Sequence, residues 1–223
     1  MSRGNILICG DSYGLGEWSF DSIKPVHSGL QFYLEEVGYK VKNISMPGGS
    51  NIQAVNALSE EKLNDYLYIF WFQTDPLRCL RNFYKTPQFQ QINSVSLMHE
   101  KSKELLFESY LALAQFKTPI HCIGGCYPLI EVINKYHNLK SCIRSVVELC
   151  YPSLTHIMWF SDWIDFIPKD FVDLDKLVEI KKKHDILYTE YVYEYFYPYT
   201  GHPNRKGHKL IFDTLNQQLG LTN

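Results

Sequence analysis

Near its amino terminus the chain reads Ile6-Leu7-Ile8-Cys9-Gly10-Asp11-Ser12-Tyr13. The apolar run predicts a short buried strand, and the Gly-Asp-Ser sequence after it predicts a tight turn. Turns at the carboxyl ends of parallel strands form the edge at which α/β proteins bind their ligands. We therefore predict that the chain folds around this strand and presents the Ser12 hydroxyl at that edge as a nucleophile.

Further strands and helices are predicted to alternate along the chain. The apolar positions from Gly29 to Val37 recur at helical spacing, and residues 39–45 alternate like a strand, which together favour a parallel crossover. Residues 66–72 are almost continuously apolar, as in a central strand covered on both faces. The remaining predicted elements are strands at 120–125 and 155–160 and helices at 51–63, 102–116, 129–140, 173–186 and 206–219, with 142–152 open between helix and strand. The pattern predicts an α/β protein with one domain over residues 1–223.

Composition narrows the classes of partner. The chain has 223 residues with 24 acidic and 22 basic side chains, so it lacks the broad positive charge of a nucleic-acid-binding protein. Its apolar runs are shorter than the roughly 20 residues that cross a bilayer, and its first residues lack the form of a secretory signal. We expect a cytoplasmic protein with neither a nucleic-acid nor a membrane partner.

The six cysteines are scattered along the chain. Without a secretory signal they are expected to be reduced thiols rather than disulfides. Cys122 and Cys126 have no second Cys or His pair at zinc spacing, and no other segment indicates a metal or a cofactor. The prediction is therefore that the chain uses neither.

Polar or glycine-rich segments follow several predicted strands. Residues 46–51 (Met-Pro-Gly-Gly-Ser-Asn) are either a plain tight turn or a loop whose backbone N–H groups approach a ligand. Gln73, Thr74 and Asp75 leave the central strand, either toward a ligand or as a solvated exit. The segment 17–25 is aromatic and is a candidate wall of the site. Residues 188–199 are rich in tyrosine, which suits packing against the sheet or stacking on a sugar.

Four of these segments, taken in order, resemble the conserved blocks of the SGNH (GDSL-like) hydrolases. They are Gly10-Asp11-Ser12, Gly48-Gly49, Gln73-Thr74-Asp75 and the segment His202-Pro203-Asn204 through Gly207-His208 ahead of the last predicted helix. The resemblance implies a flavodoxin-like three-layer α/β/α sandwich with a mostly parallel sheet. It also implies that Ser12 is the nucleophile and one oxyanion donor, that the Gly49 N–H is a second donor, and that His202 is the base.

Among the departures from the family, which include the lost glycine of the third block, two bear directly on the chemistry. Thr74 stands where the family has its oxyanion Asn, so the donor there is either the Thr74 hydroxyl or the Gln73 amide one position earlier. Tyr199 stands where the family has the Asp that orients the histidine. His202 is then half of a dyad, or a carboxylate from elsewhere completes the triad; the candidates are Glu194, Glu190 and Asp162.

The resemblance implies hydrolysis of a carboxylic ester, of the esterase or carbohydrate O-deacetylase type, with a small-molecule or glycan ester as substrate. The alternative is a catalytically impaired protein of the same fold that binds glycans or serves a structural role. The resemblance also implies an origin in a bacteriophage or a bacterial surface-glycan locus, which makes a virion the alternative location. A nucleotide-binding protein is disfavoured because the glycine-rich turns lack the lysine of a phosphate-binding loop.

Overall fold

Five parallel strands form the central sheet in the computed structural model of the chain, which describes residues 2–19, 24–76, 78, 94–152, 194–196 and 201–223. In chain order the strands are β1 (Asn5–Cys9), β2 (Glu17–Trp18), β3 (Pro25–His27), β4 (Lys40–Asn43), β5 (Tyr68–Gln73), β6 (Ile120–Gly124) and β7 (Leu139–Ile143). The central sheet has the order β4-β1-β5-β6-β7, and β2 and β3 form a separate antiparallel pair. Every neighbouring pair in the central sheet is parallel, which confirms the predicted sheet type.

The described residues also contain six α-helices and two short 3₁₀ helices. The α-helices are α1 (Ser12–Leu15), α2 (Leu30–Glu36), α3 (Asn51–Ser59), α4 (Val95–Ala114), α5 (Val146–Cys150) and α6 (Arg205–Leu219), and the 3₁₀ helices are Leu63–Asp65 and Glu131–Lys135. Side-chain caps set several helix starts: Ser50 and Gln53 form a capping box before α3, and Asn204 caps α6. Among the described helices, none is long and apolar enough to cross a membrane.

Helices cover both faces of the central sheet. Because side chains alternate along a strand, Ile6 and Ile8 of β1 belong to one apolar cluster and Leu7 and Cys9 to the other. The first cluster includes α2, α5 and α6, and the second includes α3 and α4. Residues 69–72 of β5 are fully buried, since this strand lies at the centre of the sheet. The three-layer α/β/α arrangement that the sequence predicted is therefore confirmed.

The predicted helix over 129–140 is wrong. The structure has instead the 3₁₀ helix Glu131–Lys135 and then β7, whose Leu139 pairs with Ile120 of β6. The unpaired edge of β6 supplies backbone hydrogen bonds to this segment, and that tertiary partner outweighs a weak local helical pattern. The open region 142–152 contains both structures, since it holds the end of β7 and all of α5.

Several predicted elements lie outside the described residues. They are the strand at 155–160, the helix at 173–186 and, apart from residues 194–196, the tyrosine-rich segment 188–199. Of the described residues 194–196, Phe196 is buried and forms a β-bridge with Pro203, beside the start of α6. The turn that carries His202 therefore packs against the tyrosine-rich segment at this point.

Candidate active site

Ser12 lies at the carboxyl end of β1, where the chain turns into α1. Gly10 has φ +145°, and a β-carbon there would lie 2.6 Å from the backbone oxygen of Phe72, so this close approach of β1 to the end of β5 requires glycine. Asp11 caps α1, and its Oδ1 accepts from the Tyr13 N–H at 3.0 Å. The turn thus places Ser12 at the strand edge that the sequence predicted.

His202 reaches Ser12 from the turn before α6. Its Nε2 lies 2.8 Å from Ser12 Oγ, although the two residues are 190 positions apart in the sequence. The turn is tied to the nucleophile segment by the Tyr13 hydroxyl, which donates to the Gly201 carbonyl at 2.5 Å. The structure therefore brings the predicted nucleophile and the predicted base within hydrogen-bonding distance.

The environment of His202 favours its neutral form. Burial lowers the pKa of this imidazole to about 4, the Asp11 carboxylate opposes the change, and the Arg78 guanidinium reinforces it. Trp18 lies against the ring, with centroids 5.4 Å apart and planes 28° apart. A neutral imidazole whose Nε2 faces a hydroxyl is able to accept its proton.

The predicted oxyanion donors are mostly engaged elsewhere. The Thr74 hydroxyl donates to Asp11 Oδ2 at 2.5 Å, and the Gly49 N–H donates to the Met46 carbonyl at 3.0 Å within a Pro-Gly turn. The Gln73 amide nitrogen donates to the carbonyls of Tyr127 and Pro128, each at 3.0 Å. In the described structure these three groups donate to protein acceptors, and their role as oxyanion donors stays a prediction. The backbone N–H of Ser12 itself has no acceptor among the residues that the structure describes.

A buried polar network behind Ser12 was not foreseen from the sequence. Asp11 Oδ2 accepts from Thr74 and also from Arg78 Nη1 at 3.0 Å, and the Asp11 side chain is only 1% exposed. Asn51 makes two hydrogen bonds with the backbone of Thr74, at 3.1 and 2.9 Å. These hydrogen bonds connect the Gly-Asp-Ser turn, the end of β5 and the start of α3. Thr74 takes part in bonds to both other segments, through its hydroxyl to Asp11 and through its backbone to Asn51.

Of the candidates for a third member of a triad, Glu194 alone is among the described residues. Glu194 is exposed, and its carbonyl accepts from Asn204 Nδ2 at 2.9 Å, which holds the turn before α6. Asp162, Glu190 and Tyr199 lie outside the described residues. The carboxylate that acts on the His202 pKa within the described structure is Asp11, which belongs to the nucleophile turn.

Two residues that contact His202 or affect its pKa had only weak signals in the sequence. Trp18 lies in the aromatic segment 17–25, which was a candidate wall, but its contact with His202 depends on the β2–β3 pairing. Arg78 follows the polar exit of β5 and is two residues beyond Pro76. Its pairing with Asp11 joins positions 67 residues apart, and no local pattern indicates it.

The chain matches no protein-family model and no curated protein, but it is similar to solved structures. One is a protein of Desulfitobacterium hafniense DCB-2 assigned to the G-D-S-L family of lipolytic proteins, with 11% identity, a TM-score of 0.46 and coverage of 97% of this chain and 100% of that one. Another is the lipase/acylhydrolase from Enterococcus faecalis, with 13% identity, a TM-score of 0.42 and coverage of 98% and 95%. A third is the acetylxylan esterase Axe2 from Geobacillus stearothermophilus, with 12% identity, a TM-score of 0.40 and coverage of 98% and 95%.

The buried histidines predict a loss of stability in acid. Burial lowers the pKa of His208 from 6.5 to about 4, as for His202, so the unfolded chain binds protons more readily than the folded one. The contribution of these neutral histidines to the free energy of unfolding is fully present above pH 6.5, the pKa in the unfolded chain. It is lost as the pH falls toward the folded-state pKa of about 4. For fully buried His208 the fall is about 3 kcal/mol in the free energy of unfolding.

Urea unfolding at about pH 7 and about pH 4.5 measures this loss. His208→Leu removes a titrating group and is expected to reduce the difference between the two pH values by about 2 to 3 kcal/mol. His137→Leu is the matched control, because His137 is exposed and should leave the difference unchanged. Equal losses in the wild-type protein and His208→Leu would show that His208 does not cause the pH dependence.

Proposed function

We propose that this protein is a serine-dependent hydrolase of carboxylic esters, of the esterase or carbohydrate O-deacetylase type. The observation that supports this most directly is the 2.8 Å separation of Ser12 Oγ and His202 Nε2 at the carboxyl edge of a parallel sheet. A serine hydroxyl is a weak nucleophile near neutral pH and needs an adjacent base. The lowered pKa of His202 keeps that base unprotonated at neutral pH.

The reaction that this pair can perform has two halves. Ser12 Oγ attacks the acyl carbon while His202 Nε2 takes the hydroxyl proton, and the same proton then goes to the departing alcohol oxygen. Water next gives a proton to His202 and attacks the acyl-serine, and the acid leaves as Ser12 recovers its proton. The Ser12 backbone N–H is our proposed donor to the oxyanion in both halves.

A second candidate is a catalytically impaired protein of the same fold that binds glycans and in which Ser12 does not react. The observation that favours it is that Thr74 and Gln73 donate to Asp11 and to backbone carbonyls, so they leave the oxyanion with few donors. Removing one oxyanion donor costs roughly 3 to 4 kcal/mol of transition-state stabilisation. A slow hydrolase and a binding protein therefore differ in whether Ser12 reacts at all.

Labelling with a fluorophosphonate probe tests the proposal. The probe is expected to add one phosphonyl group to the wild-type protein, which intact mass spectrometry detects, and to add none to Ser12→Ala. Ser59→Ala is the matched control, because Ser59 is an exposed serine on α3. This variant keeps Ser12 and should be labelled there like the wild type.

An ester panel completes the test. Hydrolysis of p-nitrophenyl acetate and of acetylated xylo-oligosaccharides is expected to depend on Ser12. An unlabelled protein without ester turnover at any pH, which nevertheless binds the sugars equally well as Ser12→Ala, would contradict the proposal and favour the binding protein.

A further inference from the structure

Trp18 contacts both members of the Ser12–His202 pair. Its indole ring stacks on the imidazole of His202, with centroids 5.4 Å apart and planes 28° apart, and its Nε1 donates to the Ser12 carbonyl at 2.9 Å. The side chain is 6% exposed, so these contacts are made away from bulk water. A single ring therefore contacts both the nucleophile turn and the face of the base.

The β2–β3 pair holds Trp18 in place. Glu17, the residue before it, is buried, pairs with His27 of β3, and accepts from Arg205 Nε at 3.1 Å. Arg205 is the first residue of α6 and lies three positions after His202. The segment that carries Trp18 is thus attached to the helix whose preceding turn carries His202.

We propose that Trp18 is a positioning residue of His202: its indole face holds the imidazole with Nε2 toward Ser12 and stabilises the imidazolium formed during proton transfer. In a serine triad a carboxylate performs both tasks from the Nδ1 side. An aromatic ring contributes from the face of the imidazole through its negative quadrupole, which attracts a cation within about 6 Å of the ring centroid. This inference rests on the proposed function, because an imidazolium forms only if Ser12 is deprotonated by His202.

The surroundings of His202 disfavour its charged form, so an attraction between the Trp18 face and the imidazolium would assist proton transfer. Asp11 favours the imidazolium and Arg78 disfavours it, while buried His208 lies close enough that His202 affects its pKa. Burial is the largest influence on His202 and acts against the charged form. The Trp18 face is in contact with the ring and stabilises the cation without adding a formal charge to the buried site.

Three variants separate the ring face from the hydrogen bond. Trp18→Phe keeps an aromatic face and loses the Nε1 donor, whereas Trp18→Leu and Trp18→Met keep an apolar side chain and lose both. For p-nitrophenyl acetate we expect Trp18→Leu to lower kcat about 10-fold with little change in KM, and Trp18→Phe to stay within about 3-fold of the wild type. Phe32→Leu is the control for an aromatic-to-leucine change at a more exposed position.

The His202 pKa supplies a readout that does not depend on turnover. NMR titration of the ring carbons of His202 is expected to give a lower pKa in Trp18→Leu than in the wild type, because burial remains while the aromatic face is lost. A merely structural tryptophan would change the unfolding midpoint without lowering this pKa. If Trp18→Leu does not fold, Trp18→Met gives the same comparison.

Two results would overturn the inference. One is a Trp18→Leu protein whose kcat and His202 pKa equal those of the wild type. The other is an equal loss of kcat in Trp18→Phe and Trp18→Leu, which would assign the effect to the Nε1 hydrogen bond. If the wild-type protein itself shows no Ser12-dependent hydrolysis, the proposed function fails, and the NMR titration still tests the stacking on its own.

Discussion

His202→Ala is expected to lower kcat for ester hydrolysis by about 10⁴-fold or more, which is the scale on which serine hydrolases lose activity without their base. The physical reason is that Nε2, 2.8 Å from Ser12 Oγ, is the group placed to take the hydroxyl proton. The low pKa of His202 makes it a weak base, so the wild-type rate should be modest while its dependence on this residue remains large.

The measurement is kcat and KM for p-nitrophenyl acetate, with circular dichroism to verify folding. His137→Ala is the matched control, because His137 is exposed and far along the chain from the Ser12–His202 pair. The rate of fluorophosphonate labelling at Ser12 should fall in parallel with kcat. Added imidazole is expected to restore part of both rates, since it fits the space left by the missing ring. A variant that keeps kcat within 10-fold of the wild type would show that another group is the base.

The sequence was sufficient to predict the central strand, the parallel sheet and the positions of Ser12 and His202. These features are specified locally: an apolar run makes β1 buried, a glycine with positive φ makes the turn, and Asn204 starts α6 just after His202. The parallel sheet accounts for the place of Ser12 at one edge, whereas His202 reaches that edge from the turn before α6 by a tertiary contact.

The hydrogen bonds of the site could not be predicted in the same way. The Thr74 hydroxyl was a candidate oxyanion donor, and the structure shows that it donates to Asp11, which lies 63 positions away in the sequence and is brought to Thr74 only by the tertiary fold. The Gln73 amide was the other candidate for this oxyanion donor. Its side chain is fully buried and also accepts from the Tyr110 hydroxyl at 2.6 Å. A buried amide must satisfy all its groups, and neighbouring backbone carbonyls are available to do so.

Dependence on a tertiary partner also explains why the helix predicted over 129–140 was wrong. Leu139 and Ile143 are buried in β7 because β6 offers them a sheet edge, whereas their immediate neighbours in the sequence suit a helix about as well. Edge strands of this kind are selected by their partner rather than by a local pattern. The local sequence therefore does not determine the structure of residues whose partners are distant in the chain.

Removing the buried Asp11 carboxylate should strongly destabilise the fold. It is 1% exposed and accepts hydrogen bonds from the Tyr13 N–H at 3.0 Å, the Thr74 hydroxyl at 2.5 Å and Arg78 Nη1 at 3.0 Å. The Arg78 side chain is 20% exposed, so the ion pair is largely shielded from water. Breaking a buried ion pair by deleting one partner leaves the other groups with an unmet desolvation cost.

Asp11→Ala is therefore expected to lower the free energy of unfolding by about 3 to 5 kcal/mol, measured by urea denaturation at neutral pH. Asp213→Ala is the matched control, because Asp213 pairs with Lys209 at 2.5 Å with both side chains about half exposed, and such a pair contributes about 0.3 to 0.5 kcal/mol. Asp11→Asn keeps an acceptor oxygen but removes the charge, and should fall between the two. A loss in Asp11→Ala no larger than that in Asp213→Ala would show that the network behind Ser12 does not hold the nucleophile turn against β5.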